Sequence, residues 1–244
     1  MPETQVYNTI PTQIEEIEQY SFLFYGGSGS GKTSLAAQFI EIGQTLFLSC
    51  DTGKYGGLLS GRRYSPLQIR LNTYDDYLKC IEHLEKDAGE RFRVCILDSV
   101  TSFQRIVMQH ILRLSGREVA RFEDWSLCVE RVRTALNKLG GLRCHLILTA
   151  TEQLIRDELI GKLIGLPNLP GKLAHELPAA VDVVLHLYTR TGYDKTGKKQ
   201  VNYLMSSTPD ELWVAKDRTA LLPVEAATDF KTLKILFEGK EVIK

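Results

Sequence analysis

The sequence has no surplus of charge of either sign. Lys and Arg total 30, Asp and Glu total 30, and the formal net charge of the 244 residues is zero. That excludes a chain coated with positive charge for nucleic acid, so any basic binding surface is local. Cysteine is sparse and odd in number, with Cys50, Cys80, Cys95, Cys128 and Cys144 and no C-x-x-C spacing. This argues against a disulfide framework or a zinc site and predicts buried, reduced thiols. His83, His110, His145, His175 and His186 have no metal-ligand spacing among them and are expected as core or surface residues. No apolar run approaches the length of a membrane span, and the start, Met-Pro-Glu-Thr-Gln, lacks a basic and apolar leader. The expectation is a soluble cytoplasmic protein with no membrane partner. Internal repeats, low-complexity tracts and Pro/Gly/Ser linkers are also missing, so the chain reads as a polar lead-in, 1–20, followed by one domain, 21–244.

What is present is an alternation of apolar runs and amphipathic stretches, the pattern of a mostly parallel α/β sheet flanked by helices. Strands are expected at Ser21–Tyr25, Thr45–Ser49, Leu67–Leu71, Val94–Asp98, Cys144–Ala150, Val181–Leu187 and Leu212–Ala215. Helical spacing marks 32–42, 74–87, 102–115 and 124–139. In the last of these Trp125, Val129, Val132, Leu136 and Leu139 are expected to face the core. Residues 183–190 and 199–206 flank a polar turn containing Gly197, which predicts a β-hairpin at a sheet edge.

One run carries chemistry on its own. Gly26-Gly27-Ser28-Gly29-Ser30-Gly31-Lys32-Thr33 matches G-x-x-x-x-G-K-[ST], after the strand-like Phe22-Leu23-Phe24-Tyr25 and before a helix. Small residues let backbone N–H groups turn inward on phosphate oxygens, and the helix N-terminus, with Ser34 in its first turn, adds positive dipole. Lys32 reaches the β- and γ-phosphates, and the Thr33 hydroxyl suits Mg²⁺. The expected cofactors are ATP and Mg²⁺.

Two strand ends supply acids. The apolar run Val94-Cys95-Ile96-Leu97 ends in Asp98, placed to hold Mg²⁺ downstream of such a loop. Leu46-Phe47-Leu48-Ser49 leads to Asp51, a carboxylate that could deprotonate the attacking water.

Leu97-Asp98-Ser99-Val100 resembles the Asp-Ser-Val of RecA-type recombinases, and the order of elements, through Leu146-Ile147-Leu148-Thr149-Ala150-Thr151-Glu152-Gln153, is similar to the RecA core. Chain size, Pro170-Gly171-Lys172 and Ala215-Lys216-Asp217-Arg218-Thr219 resemble the short phage ATPases of that superfamily, some of them single-strand annealing recombinases of the Sak group. The resemblance covers about 20–223. It implies a RecA-like P-loop NTPase with a C-terminal β-hairpin edge. Asp51 would stand where the family has a glutamate, and Gln153, or the adjacent Glu152, would sense the γ-phosphate. Lys216 and Arg218, on one side of an extended segment, would act on a neighbouring subunit's nucleotide in a homo-oligomer.

The same resemblance implies two loops on single-stranded DNA, one near Gly116–Arg121 and one over 154–170. Arg117, Arg121, Arg156, Lys162 and Lys172 would meet phosphates there. The function expected is an ATPase in phage-type recombination or strand annealing in the host cytoplasm, with a single-strand-binding protein as a further partner. The alternatives are a helicase- or loader-like replication ATPase and a nucleotide-gated protein-binding module without DNA activity.

Overall fold

The computed structural model describes residues 19–50, 67–156, 161–193 and 197–238. The first half runs β1 (Ser21–Gly26), α1 (Lys32–Ala37), a 3-10 turn (Gln38–Ile42), β2 (Thr45–Ser49), β3 (Leu67–Arg70), α2 (Tyr74–Arg91), β4 (Val94–Asp98), α3 (Val100–Ser115) and α4 (Phe122–Gly140). The second runs β5 (His145–Arg156), β6 (Leu163–Pro167), α5 (Leu173–Ala180), β7 (Val183–Tyr193), β8 (Lys199–Ser206), β9 (Lys216–Asp217), β10 (Glu225–Ala227) and α6 (Phe230–Leu233). Among the described residues no helix is long and apolar enough to cross a membrane.

The strands join in the order β10-β8-β7-β1-β5-β4-β2-β3. From β7 to β3 every pairing is parallel, while β8 and β10 add an antiparallel edge. This is the expected α/β class, a mostly parallel central sheet flanked by helices. Parallel strands covered on both faces must be apolar at successive positions, and β2 and β4 are buried along their whole length. Alternation then divides the core in two. Leu23, Tyr25, Leu46 and Leu48 face α3 and α4 through Phe103, Val107, Val132 and Leu136. Phe22, Phe24, Phe47 and Ile96 face the other way, against Leu35, Phe39, Phe230 and Leu233.

Three expectations are corrected. The buried stripe of α4 is Asp124, Cys128, Val132, Ala135, Leu136 and Leu139. Trp125 lies one position, about 100°, off that stripe and is 48% exposed. The segment 154–170 contains a β-hairpin: β5 continues to Arg156 and pairs antiparallel with β6, Glu152 opposite Pro167 and Arg156 opposite Leu163. Leu212–Ala215 forms no strand but a single parallel β-bridge, Trp213 to Gly165, with Gly165 N–H on Leu212 O at 2.6 Å and Val214 N–H on Gly165 O at 3.3 Å. Asp210 Oδ1 accepts the Leu212 and Trp213 N–H groups at 2.7 and 2.6 Å, turning the backbone and limiting the pairing to that bridge. That turn sets Trp213 flat on β6. A methyl group at Gly165 would stand 2.0 Å from Trp213 Cε3, so only glycine fits there.

Candidate active site

Parallel sheets bind ligands beyond the carboxyl ends of their strands, and here the ends of β1, β4 and β5 converge. The loop after β1 turns through Gly29 (φ +78°) and Gly31 (φ +96°), a region open to glycine at little cost. Ser30 N–H closes the turn on Gly27 O at 3.2 Å, and Leu35 N–H bonds Gly31 O at 2.8 Å as α1 begins. Lys32 folds back over the loop. Its Nζ donates to Gly26 O at 2.9 Å, Gly27 O at 2.6 Å and Ser30 Oγ at 3.4 Å. A cleft of about 410 Å³ opens outside the loop, bounded by Gly29, Gly31, Lys32, Thr33, Ser34, Tyr203 and Thr228. That volume is within the range of small-molecule sites.

Asp98 is buried at the end of β4. Thr33 Oγ1 donates to its Oδ2 at 3.0 Å, and Thr149 Oγ1 on β5 donates to its Oδ1. Ser99, not Asp98, caps α3, its hydroxyl accepting Ser102 N–H at 3.2 Å, so the Asp98 carboxylate is left to face the loop. β2 ends alongside, with Ser49 in register with Asp98 and Cys50 N–H on Asp98 O at 2.7 Å. Asp51 lies outside the described residues.

Glu152 and Gln153 are neighbours in β5 and point apart, as strand residues do. The Gln153 amide donates to Pro167 O and Leu169 O at 3.1 and 3.2 Å, bracing the chain after β6. Glu152 is the member turned to the phosphate loop: a methyl group at Gly27 would be 3.2 Å from its Oε1. Its other oxygen meets His186 Nε2 at 3.0 Å. Burial holds the His186 imidazole below its ordinary pKa, against the upward pull of Glu152. Burial likewise raises the Tyr25 hydroxyl, which donates to Val214 O.

Lys216 and Arg218 both reach Ala179 O, at 2.9 Å each, and Arg218 also pairs with Asp182 at 3.4 Å. They cover the C-terminal turn of their own α5. β9 meets β7 at Val183 and Val184, whereas Gly26 pairs with Leu187. Along the strand, the backbone of Lys216 is thus about 10 Å, and that of Arg218 about 17 Å, from their own phosphate loop. Arg117 is ion-paired with the buried Asp124, which also accepts the Arg121 N–H at 2.8 Å. Arg117 thereby serves the start of α4, while Arg121, Arg156, Lys162 and Lys172 are exposed.

Sequence reasoning missed Thr149, His186, Tyr203, Trp213 and Thr228. Thr149 had a signal, a hydroxyl inside an apolar run; buried at 0% exposure, it needed a partner. The others owe their roles to strands far away in the chain.

The geometry agrees with the comparisons. Residues 18–219 match the family model described as AAA domain. No curated protein matches the chain. Among solved structures, a prototypical ATPase from the type III secretion system of pathogenic bacteria is similar at a TM-score of 0.46 and 16% identity. The similarity covers 69% of this chain and 52% of that one, so this chain spans about half its length.

Proposed function

Because the chain belongs to the AAA domain family of P-loop ATPases, we propose that its ATP cycle serves single-stranded DNA, in phage-type recombination or strand annealing by an oligomer. ATP is bound and hydrolysed at the Gly26–Thr33 loop. Lys32 and the loop amides hold the phosphates. Thr33 Oγ1 and the Asp98 carboxylate are hard oxygen donors 3.0 Å apart, a set that suits Mg²⁺. The ion, when bound, would neutralise charge on the phosphoryl oxygens. Thr149 holds the second oxygen of Asp98 in place. Asp51 takes the proton of the attacking water, a reading supported by the run of β2 beside Asp98. Lys216 and Arg218 complete the site of the next subunit by stabilising charge on the transferring phosphoryl group.

The observation that carries the DNA reading is the continuity of β5. One strand bears Thr149 on Asp98, Glu152 on the phosphate loop and, at its far end, the exposed Arg156, with the exposed Lys162 just before β6. The contacts at the phosphate loop and an exposed arginine share one continuous strand. ATP turnover measured with and without single-stranded DNA over a salt series tests this. DNA is expected to stimulate turnover and to lose that effect in Lys216→Ala. Replacing Arg156 and Lys162 together with Ala is expected to flatten the log–log salt dependence of binding by about 1.4. Turnover indifferent to DNA, with no binding at low salt in the presence of ATP, sinks the reading.

A second reading has its own observation. Leu114, Val119, Phe122 and Trp125 are exposed together around the start of α4, with Phe122 at 86%. Such a patch suits a protein partner, and DNA-independent turnover would put the nucleotide-gated protein module first.

A further inference from the structure

The Glu152–His186 pair lies beside the phosphate loop, apart from the metal-side acid and the trans cations. His186 pairs with Tyr25 in the β1–β7 ladder, one residue before Gly26. Its side chain is 5% exposed. The ring is held between two aromatic planes, Trp213 at 4.1 Å and 16° and Tyr188 at 5.6 Å and 18°, with Tyr25 at 5.1 Å. Trp213 is itself fixed by Asp210 and by the missing side chain of Gly165. Packing of this kind fixes the plane of the imidazole. With the proton on Nε2, it holds one oxygen of Glu152 at 3.0 Å.

The other oxygen, Oε1, stands against Gly27. Gly27 O is also the closest partner of the Lys32 ammonium, at 2.6 Å. That lysine marks the β/γ end of a bound triphosphate, so Glu152 borders the γ-phosphate. A carboxylate there repels the phosphate oxygens directly but can accept a hydrogen bond from a water lying between them. In-line attack needs such a water held at a defined angle.

We infer that Glu152 orients the attacking water and that His186 is the positioning residue that locks the Glu152 carboxylate toward Gly27. The dyad adds to the acid that takes the proton and does not replace it. It is independent of DNA and of the cations supplied by a neighbour.

The test measures ATP turnover together with affinity for a fluorescent ATP analogue in the full-length protein. His186→Phe keeps a flat ring and removes the hydrogen bond. Its kcat is expected to fall on the order of 10²-fold, with KM and analogue affinity within about twofold of wild type. His186→Gln, which keeps an N–H donor, is expected to recover most of the loss. Glu152→Gln is expected to match His186→Phe, and the double variant to be no worse than either single, since groups acting as one unit are not additive. Wild-type kcat in Glu152→Gln overturns the proposal. So does a His186→Phe whose kcat and analogue affinity fall together without rescue by Gln, which is the mark of a structural role. If His186→Phe does not fold, Glu152→Gln and His186→Gln still decide.

Discussion

The two ends of β5 differ in kind. At its start and middle, Leu146, Ile147, Leu148 and Ala150 are buried in a continuous sheet and Thr149 is tied to Asp98. Past Glu152 the same strand leaves the core, Leu154 is 53% exposed, and among the described residues its one partner strand is β6. The inner half needs each polar group paired, because an unpaired one there costs about 1–3 kcal/mol. The outer half can carry charge and change position cheaply.

The largest test of the comparison removes chemistry from the inner half. Lys32→Ala is expected to lower ATP turnover by on the order of 10³-fold with little change in melting temperature, measured by a coupled assay and a thermal melt. Next is a contrast between two arginines of the first expected DNA loop. Arg117→Ala leaves the buried Asp124 carboxylate without its ion pair and is expected to cost about 3 kcal/mol in urea unfolding. Arg121→Ala, at an exposed side chain, should stay within about 0.5 kcal/mol. Equal losses would break the distinction between structural and free cations.

Gly165→Ala probes the junction of the two halves. Its Cβ would overlap the Trp213 ring, with an expected cost of about 1–3 kcal/mol. Adding Trp213→Ala should return part of that loss, because the obstacle has gone. The smallest effect is a pH dependence. Burial depresses the folded pKa of His186 below 6.5, so its neutral form favours folding. Its contribution is complete above pH 6.5 and is lost as pH falls toward the lower folded value. His110 is shifted in the same direction. Denaturant midpoints taken on either side of pH 6.5 should therefore separate less in His186→Gln than in wild type.

Much of this was legible beforehand for a local reason. β2 and β4 have the bounds expected, since buried parallel strands must be apolar along their length. α1 came out shorter, its last turns relaxing into a 3-10 turn. The pairing of β5 with β6 was not legible, because it joins the end of a core strand to Leu163–Pro167, a run whose Gly165 and Pro167 read as loop residues. Trp125 was misread because a stripe drawn one position out still contains Val132, Leu136 and Leu139.

The sequence by itself determined the phosphate loop, the acid that ends β4 and the parallel α/β class, since each depends on residues within a few positions of one another. Tertiary structure alone decided which of two neighbouring polar side chains faces the loop. Glu152 and Gln153 are adjacent, and the strand's pleat together with the register of β1 and β5 turns one toward Gly27 and the other toward Leu169. It also decided that His186, 34 residues away, would hold Glu152. Periodicity says that a residue is buried; only the pairing of distant strands says against what.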